Sequence, residues 1–98
     1  MKSQKPINKA KHPEDLLYQA FSKIKTAEDA KRFLKDLCSP AEIQAMADRW
    51  LVVEPLIEGK SYRKIHDETG VSITTIGRIA RVLAEEDSGY QLIFSRLK

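Results

Sequence analysis

The stretch SYRKIHDETGVSITTIGRIARVL, residues 61–83, constrains the fold more than any other part of the chain. Ser61 is a suitable N-cap for a first short helix, in which Ile65 is the strongly apolar inward residue. Gly70 tolerates the positive φ that a tight turn between helices requires, and Ser72 can cap a second helix. The pattern therefore predicts a helix-turn-helix over about residues 61–83.

The second helix of this motif has an apolar side and a polar side. At about 100° per residue, the apolar side collects Ile76, Ile79, Ala80 and Leu83. The polar side carries small and cationic residues, which are Thr74, Gly77, Arg78 and Arg81. Small residues let a nucleic-acid backbone approach, and guanidinium groups can bind phosphate or guanine edges. Any solvated amphipathic helix can carry such a face, but the preceding helix and turn favour DNA binding. His66 departs from the general motif, where a small residue usually stands.

Helical periodicity continues on both sides of the motif, so we expect an all-α chain without strands. A first helix begins near Pro13, a second follows the capping pair Thr26 and Asp29, and a third begins at Ser39. The third helix should end before Gly59. Its apolar stripe is expected to form a central packing element, from Ile43, Met46, Ala47, Trp50, Val53 and Ile57. A final amphipathic helix begins near Ser88.

Length and charge add two expectations. A chain of 98 residues buries only part of its apolar surface, and Phe21 and Phe94 lie on faces that a small core covers poorly, which favours a dimer. A twofold dimer presents its two reading helices to successive major grooves, roughly 34 Å apart, so its DNA target should be near-palindromic. The net charge of +3 favours an anionic partner.

The N-terminal segment differs in composition from the rest of the chain. Residues 1–12 have little apolar content and carry Lys2, Lys5, Lys9 and Lys11, so we predict a flexible basic arm followed by a helical DNA-binding domain over residues 13–98. The arm lacks the apolar core of a signal peptide, and no later segment is apolar enough to cross a bilayer. Cys38 has no second cysteine to pair with. These features predict a cytoplasmic protein.

Catalysis is not expected. The only histidines are His12 and His66, Cys38 has no evident partner, and neither a phosphate-binding loop nor a set of residues at metal-ligand spacing occurs. We therefore predict no catalytic residue, no metal site and no cofactor.

From residue 37 to residue 83 the chain resembles the Trp repressor, through LCSPAEIQAMADRW, then IEGKSYRKI, then ETGVSITTIGRIARVL. The S-P-x-E start, the E-G-x-S linker, the T-G-x-S-x-x-T-I helix and the terminal SGYQLIFSRL are most similar to the Trp-repressor-like YerC/YecD family. This resemblance implies an all-α, multi-helix domain that forms an intertwined homodimer and binds operator DNA. Positions that match DNA-facing residues of the family are Arg63, His66, Ile73, Thr74 and Gly77.

The resemblance also identifies a possible remnant of an effector pocket. Arg49 and Arg78 match the two arginines that flank bound tryptophan in the Trp repressor. This chain has Ile79 in place of a glycine beside the indole and Val82 in place of a serine near the amino group, and either change weakens tryptophan binding. Tryptophan is therefore not expected as corepressor. The two arginines either pair with acids such as Asp48 or Glu42, or bind a different anion.

These observations predict a homodimeric regulator, with repression as the expected sign, that reads a near-palindromic operator in double-stranded DNA. Two alternatives remain open at this point. The chain could be a helical dimerisation or protein-interaction module whose helix-turn-helix is only a fold element, or a non-specific binder of DNA or RNA.

Overall fold

The structure is a computed structural model that describes residues 12–97, and over this range the chain is all-α, as predicted. Six helices follow one another: α1 (Pro13–Phe21), α2 (Ala27–Leu37), α3 (Pro40–Ile57), α4 (Tyr62–Thr69), α5 (Ile73–Leu83) and α6 (Gly89–Leu97). They separate into two compact units, one ending at Leu37 and the other beginning at Cys38. Apart from His12, the predicted basic arm lies outside the described residues. No helix within residues 12–97 is long and apolar enough to cross a membrane.

The first unit contains α1 and α2. Thr26 Oγ1 accepts from the N–H of Asp29 at 3.0 Å, and Asp29 Oδ2 accepts from the N–H of Lys25 at 3.3 Å. The predicted capping pair therefore forms, but the Asp29 carboxylate accepts from Lys25, the residue before the cap, instead of from Thr26. The rings of Phe21 and Phe33 meet edge to face with centroids 5.5 Å apart. Neither helix has a fully buried residue, so this unit has no closed core of its own.

Helix α3 begins and ends where the sequence predicts. The Ser39 side chain accepts from the N–H of Glu42 at 3.2 Å, and the Glu42 carboxylate accepts from the N–H of Ser39 at 2.8 Å, which completes a capping box. The bond from the Ser39 N–H to the carboxylate, and after it the Ser39 side chain, hold the pKa of Glu42 below its ordinary value of 4.5. At the other end Gly59 has φ +84° and closes a Schellman-type turn with Lys60.

The second unit, α3 to α6, has one small core. Its buried apolar residues are Val52, Val53, Ile65, Val71, Ile76, Ile79 and Leu83. Leu56, Tyr90 and Phe94 pack against this cluster from its edge. Gln91 Nε2 donates to the carbonyl of Leu83 at 2.6 Å, which joins α6 to the last turn of α5. The core therefore holds α5 between α3, α4 and α6.

The apolar stripe of α3 is mostly exposed rather than central to this core. Met46 and Trp50 each retain 37% of their accessible surface, and Ile57 retains 45%. Val52, which lies off the predicted stripe, is fully buried. Helix α3 is central to the second unit, as expected, because it contacts α4, α5 and α6. The expectation is wrong for most of the stripe, because within one chain the core contacts of α3 come from Val52, Val53 and Leu56.

Candidate nucleic-acid interface

The helix-turn-helix forms at the predicted positions. Ser61 Oγ accepts from the N–H of Lys64 at 3.1 Å and caps α4, while Ser72 Oγ accepts from the N–H of Thr75 at 3.1 Å and caps α5. Gly70 has φ +80°, the left-handed conformation that ends α4. These three local signals fix both helix ends and the turn between them.

Two side chains that sequence reasoning did not connect hold this turn. Thr69 Oγ1 donates to the carbonyl of Ile65 at 2.7 Å and accepts from the N–H of Val71 at 3.1 Å. His66 Nδ1 lies 2.8 Å from the carbonyl oxygen of Val71. Because a carbonyl only accepts, His66 Nδ1 carries the proton in this bond. His66, which stands where the general motif has a small residue, thus links α4 to Val71 on the far side of the turn.

Helix α5 divides into a buried side and an open side, as the periodicity predicts. Ile76, Ile79 and Leu83 are buried in the core. The open side carries the DNA-facing candidates of this helix, of which Gly77 is half-buried and the others exposed: Ile73, Thr74, Gly77, Arg78 and Arg81. The two remaining candidates lie on α4, where Arg63 is exposed and His66 is half-buried.

Gly77 leaves an open space in the middle of this surface. A Cβ added at Gly77 would meet only Tyr62 Cε2, at the ordinary van der Waals distance of 3.7 Å. The fold therefore does not require glycine here, although glycine inside a helix costs roughly 1 kcal/mol relative to alanine.

The cations of the motif fall into two groups. Lys60 and Lys64 are each 3.3 Å from the carboxylate of Glu68, and their hydrogen bonds hold the pKa of Glu68 below 4.5. By contrast, no ion pair within residues 12–97 involves Arg63, Arg78 or Arg81. The arginines thus present positive charge on the open surface, whereas the two lysines are partly neutralised.

The possible effector-pocket remnant is divided between the surface and the core. Arg49 and Arg78 are exposed, Val82 is 36% exposed, and Ile79 is 2% exposed within the core cluster. The acids suggested as partners of the arginines are engaged elsewhere. Gln44 Nε2 donates to Asp48 at 2.8 Å, and Glu42 belongs to the capping box of α3. Pairing with these two acids therefore does not explain the arginines.

Cys38 is half-buried and forms no disulfide within the chain. Within the part of the chain that the structure describes, no group of three or more histidine, cysteine or acidic side chains is arranged to hold a metal ion. The open side of α5 carries the hydroxyl group of Thr74 and the guanidinium groups of Arg78 and Arg81.

Comparison with known proteins agrees with this architecture. The model of the family described as Trp repressor protein matches residues 14–98. The uncharacterized protein YerC of Bacillus subtilis (strain 168) is 39% identical over 84 residues, which cover 86% of this chain and 81% of YerC.

Two solved structures share the fold. A TrpR-like protein from Eubacterium eligens ATCC 27750 superposes with a TM-score of 0.80 at 35% identity, covering 92% of this chain and 94% of the other. A putative Trp repressor from Staphylococcus aureus also gives a TM-score of 0.80, at 29% identity, over 97% of this chain and 95% of the other. The chain thus has the fold of TrpR-like proteins.

Proposed function

The chain belongs to the Trp repressor protein family, and from that premise we propose that it is a sequence-specific transcriptional regulator that binds double-stranded DNA. Family membership suggests a DNA-binding regulator. The observation that carries the finer proposal is the open side of α5, where Thr74 and Gly77 lie beside two arginines without ion-pair partners in residues 12–97. Catalysis has no part in this function.

In this proposal α5 enters the major groove with its open side toward the bases. Thr74 contacts a base edge through its exposed hydroxyl, and Gly77 lets the helix backbone come close. Arg81 lies further along the same side and contacts phosphate. On α4, Arg63 and His66 reach the DNA beside the reading helix, and the bond from His66 to Val71 fixes the position of its ring.

The functional unit in this proposal is a homodimer, intertwined as in the family. The support is the apolar surface that one chain leaves open: α1 and α2 have no buried residue, and Trp50 and Met46 of α3 remain exposed. Met46 and Trp50 are four residues apart and share one face of α3, and an exposed apolar patch of this kind is typical of an interaction site. A second copy covers it and places a second α5 one helical turn away on DNA.

The dimer is tested separately from DNA binding. Sedimentation equilibrium at micromolar concentration should give twice the 11.2 kDa mass of one chain. Trp50→Asp should shift the mass toward the monomer, because it places a charge in an apolar interface. Gln19→Asp, which adds the same charge at an exposed position that is already polar, is the control. A monomeric wild-type chain would refute the dimer.

Tryptophan is not the effector in this proposal. The Ile79 side chain is packed into the core, and Val82 brings no hydroxyl to the surface beside it. A buried amino group of a ligand that lost its hydroxyl partner would bind more weakly by about 1–3 kcal/mol.

Two other functions compete with the proposal. A protein-interaction module requires no DNA affinity, and a non-specific binder requires affinity without sequence preference. The open arginines favour a nucleic-acid partner over an interaction module, and the uncharged residues Thr74 and Gly77 beside them favour base reading over phosphate binding alone.

Selection from random duplexes distinguishes all three functions. The full chain is incubated with a library of random double-stranded DNA, and bound duplexes are sequenced over several rounds. We expect enrichment of one near-palindromic site with half-sites about one helical turn apart. Binding without enrichment would indicate a non-specific binder, and no binding would indicate an interaction module.

A further inference from the structure

An apolar side chain stands at the start of the open side of α5. Ile73 is the first residue of the helix and retains 43% of its accessible surface. It is not part of the core, so packing within the core does not explain why this position is apolar. Isoleucine has no polar side-chain atom and cannot form a side-chain hydrogen bond with a base or a phosphate. Any energy that the Ile73 side chain contributes to binding must come from contact with an apolar group.

Gly77 leaves room beside this side chain. Residues four apart in a helix lie on the same face, so Ile73 and Gly77 are neighbours on the open side of α5. The space that a Cβ would fill at Gly77 is bounded by the Tyr62 ring, with Cε2 at 3.7 Å. We call the surface formed by the Ile73 side chain, the Gly77 backbone and the Tyr62 ring edge the apolar notch.

The chemistry of the major groove limits what can occupy this notch. Bases present hydrogen-bond donors and acceptors there, and the one apolar group among them is the 5-methyl of thymine. A polar base edge placed against Ile73 would lose its hydrogen bonds to water without replacement. The notch adjoins Thr74 and Arg81 on the open side of α5, so a ligand that binds these two residues also lies beside the notch.

On the basis of the proposed function, we propose that the apolar notch reads the 5-methyl group of one thymine in each half-site of the operator. Ile73 contacts the methyl group, and the missing side chain at Gly77 lets the base approach. Ile73 is then a specificity-determining residue that acts without a hydrogen bond.

The test replaces thymine by deoxyuridine, which removes only the methyl group. In the site obtained by selection, each thymine is replaced in turn in both half-sites, and affinity is measured by fluorescence anisotropy. One symmetric pair of replacements should weaken binding by the wild-type chain about fourfold per half-site, which corresponds to ~0.8 kcal/mol for one buried methyl group. Other thymines should tolerate the replacement.

Variants at Ile73 test whether the notch causes the difference in affinity between the thymine and deoxyuridine sites. Ile73→Ala should bind the thymine and deoxyuridine sites with nearly equal affinity, and Ile73→Val should keep part of the difference. Leu92→Ala, at a 50% exposed position of α6, should keep all of it. Circular dichroism verifies that each variant folds, which is expected because Ile73 lies outside the core.

Three outcomes would overturn this inference and leave the proposed function standing. A wild-type chain that selects a site but is indifferent to every deoxyuridine replacement has no methyl-reading notch, although the proposed function stands. A difference that persists in Ile73→Ala places the contact elsewhere. If Ile73→Ala instead changes the dimer mass, a second copy covers the notch. A chain that selects no site refutes the proposed function and the inference together.

Discussion

Gly77 and Tyr62 are neighbours across the two helices of the motif, with 3.7 Å between Tyr62 Cε2 and the position of a Cβ at residue 77. This distance leaves space for a methyl group, so the fold tolerates alanine at this position. In the function that we propose, the absence of a side chain at residue 77 lets DNA approach the backbone of α5.

Gly77→Ala should separate stability from binding. Removing glycine from the helix interior should raise the free energy of unfolding by up to about 1 kcal/mol. The added Cβ should hinder the close approach of DNA and lower its affinity about tenfold or more. Urea denaturation and anisotropy titration measure the two effects on the same sample. A more stable variant with unchanged DNA affinity would show that Gly77 does not lie in the interface.

Gly70→Ala is the matched control, because nothing lies within 4 Å of its added Cβ. Its φ of +80° makes alanine costly by about 1–2 kcal/mol, so this variant should be less stable. Two glycine-to-alanine changes in one motif should thus shift the midpoint of unfolding in opposite directions. Only the change at residue 70 acts through backbone strain.

Arg81 and Arg63 should differ in what they contribute to binding. Arg81→Gln should lower affinity for all duplexes alike. It should also reduce the slope of log affinity against log salt concentration by about 0.9 for each phosphate that the variant no longer neutralises.

Arg63→Ala and Thr74→Ala should reduce the preference for the selected site more than they reduce total binding. Arg32→Gln, which removes an arginine from α2, is the control for net charge. Equal reductions from Arg32→Gln and Arg81→Gln would indicate a general charge effect.

Acid should weaken the fold through the cap of α3. The pKa of Glu42 is lower in the folded chain than its ordinary value of 4.5, so its stabilising effect is present above about pH 4.5 and is lost as the pH falls through the folded value. Glu68 acts in the same direction. Glu42→Gln should reduce the difference in melting temperature between pH 7 and pH 3. Glu86→Gln, whose carboxylate caps no helix, should leave that difference as in the wild type.

Tryptophan should not bind with micromolar affinity. Ile79 is 2% exposed and fills part of the core, and Val82 lacks the hydroxyl group that the resemblance associates with the amino group of the ligand. Isothermal titration calorimetry of the full chain with L-tryptophan should give no saturable heat, with or without DNA present. Saturable binding in the micromolar range would contradict our interpretation of both residues.

The sequence predicts the helix-turn-helix well because its signals are local. Ser61, Gly70 and Ser72 each act on backbone groups within a few residues, so the helix ends follow from residue type and spacing. The bond from His66 to Val71 is not predictable in this way. It depends on how a side chain crosses the turn, and neither hydrophobic period nor capping preference contains that information.

The burial pattern of α3 is predicted less well. The helix is apolar on more than one side, so its periodicity favours a stripe through Met46 and Trp50 and does not identify Val52, which is fully buried. Periodicity shows which residues share a face, but it does not show which face the same chain covers. In the dimer that we propose, the exposed stripe belongs to the surface between two copies.

The most direct test of the account compares the selected palindrome with a scrambled duplex of the same composition. Affinity for both is measured by anisotropy at several salt concentrations. We expect the palindrome to bind at least about a thousandfold more tightly, with a preference that persists as salt rises and both affinities fall. Equal affinity for the two duplexes at every salt concentration would contradict sequence-specific DNA binding.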